Sequence, residues 1–388
     1  MSKSDANGSP AGDLGSAAFR FFDNREKYLM FVNTCSEKEE VAATIGRNMN
    51  FLEPSGSALR IFDAGVGDGT VLCHLLRDLH GRFPNVPFLV VGKEISMEDV
   101  RITLEKLPDR FHEHPEMVVV LTNLYYSEAP KLRPNSEKAA EQLAWKTVAL
   151  DGHSSHDFGH QIRELRPFLA DHWQVRRSKT TGNPLYDHPA VLVLYRRDRH
   201  FILNSVLPGQ DGYDQGYDLI AASQPYRSRM PADFKVRNVI GPLARALAPG
   251  GQLITVQSYG RDPGMEIIDA IWPGSLPFKT DRHELIAAAR AWLNEPEDKN
   301  LAYYELSDAD SLFRYHLHTL PSEVGSSIGT STLLAAWNAA VYVAQIEDDR
   351  LADAMAHKGY LEATRAVLAR HGGLWFNDET FIIRRERS

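Results

Sequence analysis

One stretch, Asp63-Ala-Gly65-Val-Gly67-Asp-Gly69, constrains this chain more than any other. It follows the apolar run Ala58 to Phe62 and precedes a helical pattern from Thr70 to Leu79, so it marks a buried strand turning into a helix. Glycine at such a turn lets the backbone bend tightly and lets a ligand approach where a Cβ would block it. A second apolar strand, Phe88 to Gly92, leads to Glu94. A carboxylate there can accept hydrogen bonds from both hydroxyls of an adenosine ribose. Together the two signals predict a nucleotide-type ligand held at the ends of parallel strands.

The rest of the pattern extends that unit. Met97 to Phe111 reads as a helix, Met117 to Leu121 as a third strand and Tyr217 to Ala222 as a fourth. Val239 to Leu247 reads as a helix stopped by Pro249-Gly250-Gly251, with Gln252 to Gln257 as a fifth strand. Strand alternating with helix predicts a doubly wound, mostly parallel α/β sheet. Further on, a helix over Arg282 to Leu293 precedes a strand over Phe313 to Leu320. Helices over Ser331 to Ile346 and Leu351 to His371 follow, then a short last strand, Thr380 to Arg384. Around this core lie a disordered tail at 1–16, a helical preface at 17–56 and a main domain at 57–388. That domain carries two insertions. The first, about 127–215, holds a helix near Gln161 to Trp173 and a hairpin from Ala190 to Tyr195 through Arg196-Arg197-Asp198 into His200 to Leu203. The second, about 321–375, is helical.

Composition narrows the function. A net charge of −8 over 388 residues speaks against a general nucleic-acid binder, whose phosphate contacts demand a basic surface. A small-molecule partner is favoured. The two cysteines, Cys35 and Cys73, form no CxxC, so neither a disulfide framework nor a cysteine zinc site is expected. With no apolar signal core and no membrane-length apolar run, a soluble cytoplasmic protein is expected.

Spacing selects among nucleotides. In the dinucleotide fingerprint the third glycine falls one residue later than Gly69, where this chain has Thr70, and no P-loop lysine follows. The glycine pattern instead resembles motif I of class I S-adenosylmethionine-dependent methyltransferases. Val90-Val-Gly92-Lys-Glu94-Ile-Ser96 resembles their second motif, Tyr217-Asp-Leu-Ile-Ala221 the fourth, and Leu247-Ala-Pro-Gly-Gly251 the turn before the fifth strand. The resemblance implies a Rossmann-like fold with a seven-stranded sheet, and S-adenosyl-L-methionine as cofactor. It implies Asp63, Gly65, Gly67 and Gly69 around the methionine part, Glu94 on the ribose and Asn123 at the adenine edge. Ser223, at the end of the fourth strand, joins the cofactor group.

Outside the core the chain resembles the histamine N-methyltransferase family in short segments. They are Phe31-Val-Asn-Thr-Cys-Ser-Glu37, Ser223-Gln-Pro-Tyr226, the stretch from Leu320 through Gly329 into Leu333-Leu334, and Leu374-Trp-Phe-Asn377-Asp378. The resemblance implies Glu37 against a substrate amine and a substrate wall of Gln224 and Tyr226, with Tyr28 and Asn377 as further candidates. Two departures weigh against histamine itself: the 127–215 insertion has no counterpart there, and Asp378 stands where that family shows asparagine. Glu37 also lies in the run Glu37-Lys38-Glu39-Glu40, which reads equally as a solvated helix face. The expected reaction is methyl transfer to a small-molecule acceptor, at amine nitrogen first, with oxygen or carboxylate acceptors and RNA- or protein-directed transfer as alternatives. His153, His156, Asp157 and His160 suggest a metal pair at i and i+4, but the glycines among them weaken the helix and no third ligand has the right spacing. No metal is expected.

Overall fold

The computed structural model describes residues 25–178, 184–318, 328–356 and 359–387. The expected tail at 1–16 and most of the Leu320 to Gly329 stretch lie outside the described residues. Among the described residues twelve strands occur in chain order: β1 (Leu59–Asp63), β2 (Phe88–Lys93), β3 (Met117–Thr122), β4 (Ala144–Leu150), β5 (Val175–Arg177), β6 (Pro184–Tyr186), β7 (Ala190–Arg196), β8 (Tyr217–Ser223), β9 (Leu247–Ser258), β10 (Leu301–Tyr304), β11 (Leu312–His316) and β12 (Trp375–Arg385). Ten of them make one sheet in the order β10-β12-β9-β8-β1-β2-β3-β7-β4, with β11 also on β12. β5 and β6 form a separate ribbon.

The middle of that sheet follows from burial. β1, β2 and β3 are buried at nearly every position because helices cover both faces, as parallel strands require. β9, β8, β1, β2 and β3 run parallel. β12 returns antiparallel on β9, and β10 antiparallel on β12. The chain winds outward from β1 through β2 to β3, then crosses back to β8 on the other side of β1. The switch point thus lies between Asp63 and Ser223, where open α/β sheets bind ligands.

The sheet is wider than the seven strands expected, because the first insertion joins it. β7 pairs antiparallel with β3, and β4 pairs parallel with β7. The expected hairpin is not formed. Ala190–Arg196 is buried at every position, so it takes sheet neighbours on both sides rather than a local return strand. Asp198 accepts from the Arg196 guanidinium at 2.7 and 3.0 Å, and residues 197–203 wind into short helical turns. The Gln161 to Trp173 helix is two helices, Ser155–Arg163 and Arg166–His172, with Pro167 opening the second.

The last strand also differs, spanning Trp375–Arg385 instead of Thr380 to Arg384. Its first half contains Asp378 and Glu379, charges that read as loop yet are fully buried. Helices Arg25–Thr34 and Glu37–Asn48 form the preface. The turn between them is stitched to the chain after β11: Ser36 N–H donates to His316 O at 2.9 Å, and His318 N–H to Thr34 O at 2.7 Å. Phe31 and Cys35 share one apolar cluster with Tyr315, Phe376 and helices Thr330–Val343 and Gly359–His371. The two chain ends thus form a single cap. Among the described residues no helix is long and apolar enough to cross a membrane.

Candidate functional site

The glycine loop leaves β1 at Asp63 and is held on both sides. Ala64 N–H donates to Ala221 O of β8 at 2.9 Å, and Val66 N–H to Lys93 O of β2 at 3.2 Å. Its three glycines serve different ends. Gly69 has φ +79 at the mouth of helix Thr70–Arg82, and a Cβ there would meet Thr103 Oγ1 at 2.8 Å; packing against helix Met97–Glu113 requires it. Gly67 has φ +54, and its Cβ would stand 3.1 Å from the Tyr28 hydroxyl. Gly65 differs, because a Cβ there would meet only Ser223 O at 3.9 Å. That open direction is the cradle in which a ligand can reach the backbone.

Three carboxylates surround the loop. Glu94 is the most engaged: one oxygen accepts from Gly67 N–H at 2.9 Å, the other from Ile95 and Ser96 N–H at 2.7 and 2.8 Å. Burial nevertheless raises its pKa, with Lys93 opposing. Asp63 accepts from Gly65 N–H at 3.1 Å. Burial pushes it up to about 6, helped by the Glu94 charge and opposed by Gly65 and Lys38. Asp68 binds Lys106 at 2.7 Å and the Thr70 hydroxyl at 2.6 Å; these bonds outweigh burial and lower its pKa.

A stability prediction follows from Asp63. Because its folded pKa lies above the unfolded value near 4, its protonated form favours the fold at low pH, and that contribution is lost as pH rises through about 6. Asp63→Asn keeps an acceptor for Gly65 N–H and removes the buried charge. The ligand-free variant is expected to be more stable than wild type above pH 6, by about 2–3 kcal/mol, and to match it near pH 4. Urea melts across pH 4–8 measure this; parallel curves for the two proteins would refute it.

Three residues that no motif announced complete the cleft. Tyr126, past β3, donates its hydroxyl to Pro225 O at 2.9 Å, so its ring spans from the β3 end to the β8 end. The Lys93 ammonium lies 4.7 Å from its ring centre. Trp173, from the first insertion, donates its indole N–H to Glu94 O at 2.9 Å and fixes the end of β2 from behind. Lys38 lies 3.2 Å from Glu37 and 5.7 Å from the Tyr28 ring centre. Burial disfavours its charge, but Glu37, Tyr28 and Asp68 more than offset this.

Asn123 departs from its expected place at the adenine edge. Its NH2 donates to His188 O at 2.8 Å and His172 O at 3.2 Å, and its oxygen accepts from Ala190 N–H at 2.8 Å. The side chain is spent on clamping the insertion to β3. Asn377 is likewise tied locally, donating to Gly260 O and Arg261 O at 3.2 and 3.1 Å. Its neighbour Asp378, on the other face of β12, accepts from Gln224 at 3.1 Å.

Glu37 is 5% exposed, in the first turn of helix Glu37–Asn48. The solvated-face reading of its charge run therefore does not hold for this residue. Its Oε2, though near Lys38, accepts no well-directed hydrogen bond, and Asp378 Oδ1 accepts none. Burial first, then the Glu37 and Asp262 charges, raise Asp378 well above the usual carboxylate range. Gln224 sits in the left-handed region at φ +47. Its NH2 bridges Ser258 Oγ and Asp378, and its oxygen accepts from Ser258 N–H at 3.3 Å. A non-glycine residue held in that strained region is characteristic of binding sites. Tyr226 donates to Gln257 Oε1 at 3.0 Å and is buried.

The histidine cluster lies elsewhere. His153, His156 and His160 are exposed, Asp157 closes a capping box with Ser154, and Phe158 and Ile162 are the buried residues of their helix. Among the described residues no group of three or more His, Cys, Asp or Glu side chains gathers as metal ligands. The arginines of the first insertion are largely paired: Arg176 with Asp187, Arg196 with Asp198 and Arg197 with Asp151. Lys179 lies outside the described residues.

No family model and no curated protein matches the chain. Among solved structures, a loganic acid methyltransferase with SAH overlays at TM-score 0.37 and 9% identity, over 97% of this chain and 98% of that one. A putative sarcosine dimethylglycine methyltransferase from Galdieria sulphuraria gives 0.36 and 12%, over 95% and 92%. The cyclase SpnF gives 0.36 and 12%, over 89% and 81%. These likenesses are distant in sequence and in overlay. The strand order itself, with its switch point at β1 and β8, the antiparallel β12, and the glycine loop and Glu94 at adjacent strand ends, is that of a doubly wound, Rossmann-like α/β fold.

Proposed function

We propose that the protein is an S-adenosylmethionine-dependent methyltransferase acting on a small molecule at an amine nitrogen. The observation that carries the cofactor half is Glu94 at the end of β2, its carboxylate within hydrogen-bond reach of the glycine loop at the switch point. Asp63 and the open face of Gly65 suit the cationic, amino-acid end of the cofactor, and Glu94 suits the ribose. When bound, the cofactor supplies an activated sulfonium methyl group, and the protein's task is to place the nucleophile in line with it.

The acceptor half rests on Glu37 and Asp378, two buried acidic side chains: Glu37 Oε2 is shared with Lys38 at 3.2 Å, and Asp378 Oδ1 accepts no hydrogen bond among the described residues. A buried pair of this kind attracts and orients an ammonium group. Only the neutral amine attacks, so a base must hold its proton. Asp378, raised by burial and by Glu37, is the side chain suited to that, with Gln224 fixing its other oxygen. Tyr28, against Gly67, and Tyr126, reaching from the β3 end to Pro225, border the same strand ends.

Titration calorimetry of the protein with S-adenosylmethionine and separately with NAD tests the cofactor half. Micromolar binding of the first and none of the second is expected. Transfer of radiolabelled methyl over a panel of amines, alcohols and carboxylic acids tests the second half; labelling confined to oxygen acceptors would overturn the amine reading.

A further inference from the structure

Behind Gln224 lies a second, closed pocket lined by Tyr226, Ser228, Lys235, Gln257, Ser258 and Thr280, among others. In this state the side chains close on one another and leave no room for a free water, so a ligand enters only if they part. Gln224 and Ser258, which frame the Asp378 side of the acceptor site, also form its wall. The pocket and the carboxylates are thus two sides of one partition.

Its charge is unbalanced. Lys235 is 1% exposed. Its ammonium donates to Thr280 Oγ1 and lies 4.8 Å from the Tyr226 ring centre; among the described residues no carboxylate is paired with it. Glu379 acts on it from a distance, but that carboxylate is taken by the Arg282 guanidinium and backbone and by Gln257 at 2.7–3.1 Å. The other carboxylate acting on it, Glu284, is exposed on helix Arg282–Trp292. Burial lowers the Lys235 pKa to about 8, with Glu379 and Glu284 opposing. A buried ammonium without a counter-ion is costly. Ser228 supplies a second sign: its hydroxyl is buried and has no hydrogen-bond partner. Immediately after Lys235 the helix winds into a π turn, Val236–Ile240, a distortion that recurs at functional sites.

We propose that this pocket takes a carboxylate of the acceptor, so that the substrate is a zwitterionic amine: its amino group faces Glu37 and Asp378, its carboxylate faces Lys235, Ser228 and Thr280, and Gln224 lies between. One monocation with two hydroxyls matches a monoanion; a phosphate dianion asks for more positive charge and more room. The π turn and the strained Gln224 are the elements that give way when the pocket fills. This inference rests on the amine site proposed above for its other half.

The test needs neither cofactor nor turnover. Acetate is titrated into the protein while the Lys235 ammonium is followed by NMR. Binding of acetate is expected to raise the Lys235 pKa by about one unit, a tenfold gain in proton affinity. In Lys235→Met, the Ser228 and Thr280 amide resonances that acetate shifts in the wild type are expected to stay unmoved. Ser228→Ala, which removes only an unbonded hydroxyl from the folded protein, is expected to weaken acetate binding about fivefold. No acetate-dependent shift at Lys235, or a shift with inorganic phosphate alone, overturns the assignment. Failure of S-adenosylmethionine to bind while acetate still moves Lys235 would instead count against the transfer reading, so the two failures are distinguishable.

Discussion

Replacing Gly65 by valine is expected to abolish S-adenosylmethionine binding while leaving the free protein almost as stable as wild type. The added Cβ meets only Ser223 O, at ordinary van der Waals distance, and Gly65 is not among the residues with positive φ. The free chain therefore has little to lose, about 1 kcal/mol or less. The side chain does fill the space that a ligand needs beside the backbone, and a loss of at least about a hundredfold in affinity, roughly 2.7 kcal/mol, is expected. Gly69→Val is the contrasting case. There φ is +79, and the Cβ falls within 3.1 Å of Thr103 Cα as well as on its hydroxyl, so the fold itself should suffer. Thermal melts and calorimetry on both variants separate the effects. Undiminished cofactor binding by Gly65→Val would place the ligand elsewhere.

The second large effect concerns Arg282. Its guanidinium donates to Glu379 at 3.1 Å and its backbone N–H donates to the same carboxylate at 2.9 Å; both side chains are almost fully buried. Arg282→Met leaves Glu379 charged and without its counter-ion in the interior, which costs about 3–5 kcal/mol. Adding Glu379→Gln removes the stranded charge and keeps an acceptor for Gln257, so the double variant should regain much of the loss. Urea midpoints for the two singles and the double form the cycle. A loss below about 1 kcal/mol in Arg282→Met would mean that the pair is solvated or relaxes on truncation.

The central strands were readable because of their burial. Where both faces of a strand are covered, the chain shows an unbroken apolar run, and β1, β2, β3 and β8 lie within one residue of the predicted ends. β4 was missed because Ala144–Leu150 is only half buried and mixes Lys146 and Thr147 with apolar residues. The first half of β12 escaped because Asp378 and Glu379 read as solvated, and only Gln224, Gln257 and Arg282, far away in the chain, make their burial affordable.

The site divides along the same line. The glycine loop and Glu94 are local: strand, turn and helix carry their meaning within a few residues. Lys38, Tyr126 and Trp173 reach the cleft from three separate segments, and no spacing rule connects them. Asn123 shows the converse. Its position past β3 matched a motif, but the insertion supplied the backbone groups that consume its amide.

The pairing of β7 with β3 carries a consequence for how such an enzyme can change over evolution. In a seven-stranded sheet β3 would be an outer strand, and outer strands keep themselves soluble with charges, proline or bulges. Here Met117–Thr122 has none and is wholly buried. The segment 127–215 has therefore become indispensable to its host: losing it would expose a flat, greasy edge ready to recruit other chains. Residues can be exchanged within the segment, but its strand β7 cannot be removed without uncovering β3.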